Sequence, residues 1–195
     1  KEHNVPDWYI KSCEKIKYMF PKAHAAAYVT NAFRIAWFKV HIPLAYYAAF
    51  FSIRGKDDFD SDCMIFGKEK VKNKMKEIDL LGNSATPKDK TMYPILELVL
   101  EMYERGFEFL PMDLYKSDAT KFIVEDNALR PPLNSIPGLG TVAALGIAEA
   151  RKEGKFMSID DLKIRSKVGN SVTDILKKYG CLKGMSQSNQ MSLFA

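Results

Sequence analysis

The chain has 195 residues, 47% of them apolar, with 29 basic against 24 acidic residues and a net charge of +5, enough for one sizeable core or a domain with a small appended module and too apolar for a disordered chain. No run reaches the roughly 18 to 20 uncharged apolar residues of a bilayer span, because Arg34 and Lys39 interrupt the best stretch, 23–51, so no membrane partner is expected. Residues 1–56 carry nine basic and three acidic groups, 57–110 eight and twelve, and 111–195 twelve and nine; two basic zones flanking an acidic one permit two contacts with a polyanion.

Asn4 is placed to cap a first helix with Pro6 in its first turn, and Trp8, Cys13, Ile16 and Phe20 fall near one face before Pro21 stops it. The spacing predicts a second helix over 23–41, reading HAAAYVTNAFRIAWFKVH. It is apolar nearly all round and therefore expected to be central. Pro43 forces a break before LAYYAAFFSI continues as a third helix. The acidic stretch KDDFDSD opens a long charged helix through GKEKVKNKMKEIDLLG, and Thr86, Pro87 and Asp89 mark another start, with apolar residues from Tyr93 to Tyr103 until Gly106. FEFLPMDLYKSDATKFIVEDNALRPP is richer in β-branched and aromatic residues, and Asp126-Asn127 suggests a short strand pair or an extended linker. Beyond Pro131-Pro132, short helices are punctuated by Gly138, Gly140, Gly154, Gly169 and Gly180.

LNSIPGLGTVAALGIAEA fits a helix-hairpin-helix: apolar Leu133 and Ile136, the turn Pro137-Gly138-Leu139-Gly140, three further residues, then small Ala144 at the close-packing position, opening onto an apolar helix. Glycines permit positive φ and let backbone amides approach an anion with no Cβ in the way, while the helix N-terminus points its free N–H groups outward. Such a turn can hold a DNA phosphate, fixing position without reading sequence. The alternative is that Gly-x-Gly simply joins two antiparallel helices. SIDDLKIRSKVGNSVTDILKKYG repeats the pattern in degenerate form, with Val168-Gly169-Asn170 as the turn, Lys163, Arg165 and Lys167 ahead of it and Lys177 and Lys178 after it. This second match reads as well as an ordinary solvated helix pair.

FPKAHAAAYVTNAFRIAWFKVHIP is expected to collect Lys22, His24, Tyr28, Arg34 and Lys39 on one face of an apolar helix and its lead-in, among otherwise buried residues. Embedded cations need an anionic partner, and a nucleotide triphosphate qualifies: Lys and Arg neutralise phosphate and Tyr28 offers a flat surface to a base or sugar. The competing reading is that the long basic side chains snorkel off a core helix. Asp58, Asp60, Asp62 and Glu69 have calcium-loop spacing, but Cys63 stands where that loop needs a left-handed glycine; they read instead as residues favouring the positive end of a helix. Cys13, Cys63 and Cys181 form no C-x-x-C pair, which points to a reducing cytoplasm and no structural metal. The end, MSQSNQMSLFA, sets a polar run, 186–189, before Met191, Leu193 and Phe194. Apolar groups at a chain end gain nothing from a core they do not reach, so the tip either folds back or serves a partner.

These stretches resemble the C-terminal part of bacterial replicative DNA polymerases, the DNA polymerase III alpha subunits of the PolC type, across essentially the whole chain. KAHAAAYVTNAFRIAWFKVHIPLAYYAAFF is similar to the fingers helices of that family, and LYKSDATKFIVEDN with LRPPLNSIPGLGT to its lead into a tandem helix-hairpin-helix duplex-binding region. QMSLF is similar to its terminal sliding-clamp motif. The resemblance implies a mainly α fold: a fingers-like helical region over 1–110, an extended or β connector over 111–130, a tandem helix-hairpin-helix module over 131–184 and a flexible clamp-binding tail over 185–195. It implies that Lys22, His24 and Tyr28, with Arg34 and Lys39, contact the incoming deoxynucleoside triphosphate. Gly138, Leu139, Gly140, Thr141, Lys167, Gly169 and Asn170 would hold template-primer duplex DNA, and Gln190, Met191, Leu193 and Phe194 the sliding clamp. The family's catalytic aspartates lie in an upstream palm segment, so no catalytic residue is expected here, Mg2+ is expected only for the whole polymerase, and the chain alone is expected to be inactive. A self-standing, clamp-recruited DNA-binding adaptor is the rival reading.

Overall fold

The computed structural model describes residues 3–16 and 21–188. The described residues are mainly helical, with nine α-helices and one three-stranded sheet, and the chain divides into two compact units, Lys1–His41 and Ile42–Ala195.

In the first unit, α1 (Asp7–Glu14) is capped by Pro6. Asn4 does not cap it, because its backbone is left-handed, φ 51°. The helix ends at Glu14, earlier than the sequence suggested, and Phe20 lies outside the described residues. Helix α2 (Lys22–His41) runs for 20 residues as expected, but none of them is buried. The prediction of a central helix fails there for a physical reason: an all-round apolar pattern says what a helix prefers to cover, and the cover must come from a neighbour.

The second unit begins with α3 (Pro43–Ile53), where Pro43 occupies the first turn and Tyr47, Ala48 and Phe51 are buried. The predicted long charged helix is two. Asp60 caps the short α4 (Ser61–Met64), accepting from the Asp62 amide at 2.8 Å. Gly67 then turns the chain with φ 98° before α5 (Lys68–Leu81). Helix α6 (Pro87–Glu104) starts where expected, with a reciprocal cap: the Asp89 amide donates to Thr86 Oγ1 at 3.1 Å and the Thr86 amide to Asp89 Oδ2 at 3.0 Å. Pro94 is tolerated inside α6 because the carbonyl it fails to bond, that of Lys90, belongs to an exposed residue.

Strands β1 (Glu108–Phe109), β2 (Ile123–Glu125) and β3 (Ala128–Arg130) form a sheet of order β1-β3-β2. The predicted pair is the antiparallel β2-β3 hairpin, turned at Asp126 with φ 55°, while β1 joins β3 in parallel with Phe109 opposite Leu129. Buried Arg130 is satisfied by Glu125 at 2.6 and 2.8 Å and the Pro111 carbonyl at 2.6 Å. Beneath the sheet, Phe51, Phe59, Phe109 and Phe122 pack with ring centroids 4.8–6.1 Å apart. Such pairs contribute about 0.5–1.5 kcal/mol each beyond the area they bury.

A second apolar cluster gathers Leu114, Leu133, Ile136, Leu139, Ile147, Leu162 and Leu176 from the Pro-rich lead and from α7 (Thr141–Ala150), α8 (Ile159–Ser166) and α9 (Asn170–Lys178). Polar ties join it to the first cluster: the buried hydroxyls of Ser61 and Ser135 are 2.9 Å apart, and Asp62 bonds Tyr179.

Candidate nucleic-acid interface

The lead-in helix of the first hairpin is a single 3-10 turn, Leu133–Ser135. The chain then passes through Gly138 (φ 85°), buried Leu139, and Gly140, which caps α7 with φ −69° and ψ 158° and no side-chain hydrogen bond. The two glycines do different work. A Cβ on Gly138 would stand 2.9 Å from Ile175 Cδ1, whereas one on Gly140 would meet nothing within 4 Å. Gly138 therefore serves the turn and its packing on α9, and Gly140 keeps the approach to the α7 amides clear. Asn134 Nδ2 donates to Thr141 Oγ1 at 3.3 Å, steadying the helix start.

The second hairpin follows the same path one residue earlier than Val168-Gly169-Asn170. Lys167 takes the left-handed position (φ 57°), Val168 is buried, and Gly169 caps α9 with φ −85° and ψ 178°, again without a side-chain bond. Asn170 is the first residue of α9. Side-chain caps close α4, α6 and α8, where in α8 the Asp161 amide donates to Ser158 Oγ at 3.1 Å, while α1, α3 and α5 share the uncapped start of α7 and α9. What α7 and α9 share beyond that is the same left-handed turn before the helix, which leads to amides and a positive dipole end open to an anion.

The cations near this hairpin divide. Arg165 is structural: it donates to the carbonyls of Ala150 and Gly154, pairs with Asp161 at 3.3 Å and lies 4.6 Å from the Phe156 ring. Lys163 pairs with Asp160 and Lys178 with Asp62. Lys177 reaches Gln187 at 3.4 Å. Sequence reasoning missed a close helix approach. At Gly146 a Cβ would lie 2.7 Å from the Ser166 carbonyl oxygen, so α7 and α8 meet backbone to backbone there, while Ala144 is simply buried. The signal was a glycine inside a helix, which costs about 1 kcal/mol relative to Ala and asks for a packing reason.

A helix-hairpin-helix motif model matches residues 106–192. Over 194 residues, 100% of this chain, the sequence is 56% identical to the "DNA polymerase III PolC-type" of Bacillus subtilis (strain 168) and 55% identical to that of Caldanaerobacter subterraneus subsp. tengcongensis. Throughout its length the chain is similar to PolC-type DNA polymerase III. The counterpart in Oceanobacillus iheyensis is 56% identical over the same span. The chain spans 13–14% of the length of these PolC-type relatives.

The other residues singled out from the sequence are spread. Lys22, His24, Tyr28, Arg34 and Lys39 all lie on α2. The His24 and Tyr28 rings lie 4.5 Å apart, tilted by 55°. At 1.5 Å and 100° per residue, His24, Tyr28 and Lys39 fall within about 60° around the helix, while Lys22 and Lys39 are about 25 Å apart along it. Helical geometry alone therefore does not gather the five around one triphosphate. The acidic run does not fit a catalytic metal pair: Asp58 accepts from Thr91 at 2.6 Å, Asp60 caps α4, and Asp62 holds Tyr179 and Lys178. Burial pushes the thiols of Cys63 and Cys181 up to about 12, which leaves them protonated and unreactive. No helix among the described residues is long and apolar enough to cross a membrane. Gln190, Met191, Leu193 and Phe194 lie outside the described residues.

Proposed function

We propose that this chain is the template-primer and nucleotide-contacting portion of a PolC-type replicative DNA polymerase, with residues 131–184 holding duplex DNA without regard to sequence. The observation that carries this reading is the repeated backbone path at Gly138-Leu139-Gly140 and Lys167-Val168-Gly169, each ending in a helix N-terminus without a side-chain cap. Amides and a positive dipole end are what a phosphodiester oxygen needs, and two such stations give a grip that neither gives alone. Thr141 and Asn170, the first residues of the two helices, are the positions nearest such phosphates. Similarity to PolC-type polymerases along the whole chain supports the same reading.

Two finer parts belong to this proposal. The region 1–110 acts as fingers, with His24 and Tyr28 of α2, whose rings lie 4.5 Å apart, contacting the incoming deoxynucleoside triphosphate, while Lys22, Arg34 and Lys39 are not all within reach of the same molecule; the exposed apolar surface of α2 suits a helix covered by other parts of a much longer polymerase. The segment 185–195 binds the sliding clamp through Gln190, Met191, Leu193 and Phe194. The Mg2+ of phosphoryl transfer is held by carboxylates elsewhere in such a polymerase, so this chain alone does not extend a primer.

The test is a titration of the chain with two blunt duplexes of unrelated sequence across salt concentrations. Equal affinities and a log-log slope of about −0.9 per neutralised phosphate are expected. Gly140→Val adds bulk in open space at an ordinary φ, so it should weaken binding at least tenfold with circular dichroism unchanged. Full affinity in a folded Gly140→Val variant defeats the hairpin mechanism.

A further inference from the structure

Beside the first hairpin lies a cleft of about 550 Å3, lined on its polar side by Ser52, Lys56, Thr120, Lys121, Asn134 and Thr141. Its size is in the range of ligand-binding clefts, about 300–1,000 Å3. Its walls are fixed by hydrogen bonds. The Phe122 amide donates to Ser52 Oγ at 2.9 Å, tying the lead into β2 to α3. Asp118 Oδ1 accepts from the amides of Thr120 and Lys121 at 2.8 and 2.9 Å, and the Leu133 and Asn134 amides donate to the carbonyls of Asp118 and Ala119 at 2.9 and 3.1 Å. The Asp118 carboxylate behind this wall is thus committed to backbone amides. Among the described residues, no ion pair ties up either Lys56 or Lys121. Two cations on a rigid frame therefore line a cleft that opens at Thr141, the first residue of α7.

We infer that this cleft is a further station for the DNA backbone, in which Lys56 and Lys121 neutralise the phosphates next to the one held at Gly138–Thr141. The inference rests on the duplex-binding reading above and extends the contact from the hairpins onto α3 and the lead into β2. Lysine suits the task because its ammonium neutralises a phosphate as a point charge and needs no fixed fork geometry. The hydroxyls of Thr120 and Thr141 and the Asn134 amide offer hydrogen bonds to phosphate and sugar oxygens, while the Ser52 hydroxyl is committed to the Ala48 carbonyl at 2.6 Å. None of these contacts reads a base, so the cleft adds affinity and register and no sequence preference.

The decisive measurement is the salt dependence of duplex binding by the full chain, its Lys56→Ala/Lys121→Ala double variant and Gly140→Val. Each lost phosphate contact lowers the log-log slope by about 0.9, so the double variant should lose about 1.8 from the slope, equally for unrelated sequences. Both lysines are exposed, so its melting temperature should match that of the parent chain; a Lys56→Gln/Lys121→Gln pair repeats the test with the side-chain stems kept. A parent chain that binds duplex with a slope unchanged in both double variants overturns the cleft and leaves the hairpin reading standing. A parent chain that binds no duplex overturns both. If the double variants keep duplex affinity but lose binding of free deoxyadenosine monophosphate, the cleft belongs to a mononucleotide and the inference falls.

Discussion

The Tyr179 hydroxyl donates to the Asp62 carboxylate at 2.6 Å, and Lys178 reaches the same group at 3.2 Å. The end of α9 is thereby fastened to α4, which belongs to the other apolar cluster. The Tyr179 bond, aided by Lys178, holds the Asp62 carboxyl below its ordinary range, while burial and that carboxylate push the Tyr179 hydroxyl up. A hydrogen bond to a charged group contributes about 1.5–3 kcal/mol, and the Asp62 side chain is 43% exposed. Tyr179→Phe should accordingly lower unfolding free energy by about 1 kcal/mol, the low end after solvent screening, and Lys178→Ala by less. Urea denaturation of both variants checks this; a Tyr179→Phe midpoint equal to that of the parent chain refutes it.

The contact between Gly146 and the Ser166 carbonyl makes a second prediction, with two opposing effects. Ala in place of Gly gains about 1 kcal/mol of helix propensity. The new methyl would meet a backbone oxygen at 2.7 Å, and overpacking against an atom that has no rotamer to escape into costs about 1–3 kcal/mol. Gly146→Ala should therefore destabilise by up to about 2 kcal/mol, and Gly146→Val by more. A rise in melting temperature for the Ala variant would show that α7 and α8 stand farther apart.

Acid should reveal the Glu125–Arg130 pair. Arg130, ahead of Lys116, holds the Glu125 carboxyl down to about 2, from an ordinary value of 4.5. The folded state then binds fewer protons than the unfolded chain between these values, so the contribution is complete above 4.5 and disappears as pH falls towards 2. The melting-temperature gap between the parent chain and Glu125→Gln should be widest near neutrality and close through this window. A gap independent of pH contradicts the pairing.

For the segment 190–194, clamp binding and folding should be separable. A peptide that orders on docking takes its affinity from a few anchors, each contributing about 2 kcal/mol or more. Replacing Leu193 and Phe194 together by Ala should abolish calorimetric binding to a sliding clamp and leave melting temperature and DNA affinity unchanged. Lower stability with clamp binding intact assigns these residues to the fold.

What the sequence made legible follows physical locality. The Thr86 cap, the Pro43 break, the Asp126 turn and the Gly138-Leu139-Gly140 hairpin are written in a few adjacent residues, and each stands where it was expected. The second hairpin was legible as a pattern but shifted by one residue, since a left-handed lysine carries no compositional mark. Features made by residues far apart were not legible: the parallel β1-β3 pairing, the Asp62–Tyr179 tie and the Lys56–Lys121 cleft join segments 20 or more residues apart. Helix α2 shows the opposite limit. Its composition signals burial, but composition does not name the surface that supplies it.

The left-handed backbone of Lys167 sets stability against charge. A non-glycine residue in that conformation costs roughly 1–2 kcal/mol, a cost the first hairpin avoids with Gly138 at the equivalent step. Redesign guided by thermostability alone would choose Lys167→Gly early, and a melting curve would score it a success. The same change would strip the second hairpin of its own cation. On the duplex-binding reading proposed above, engineering of this chain needs a binding measurement beside the thermal one, because at this position the two should point in opposite directions.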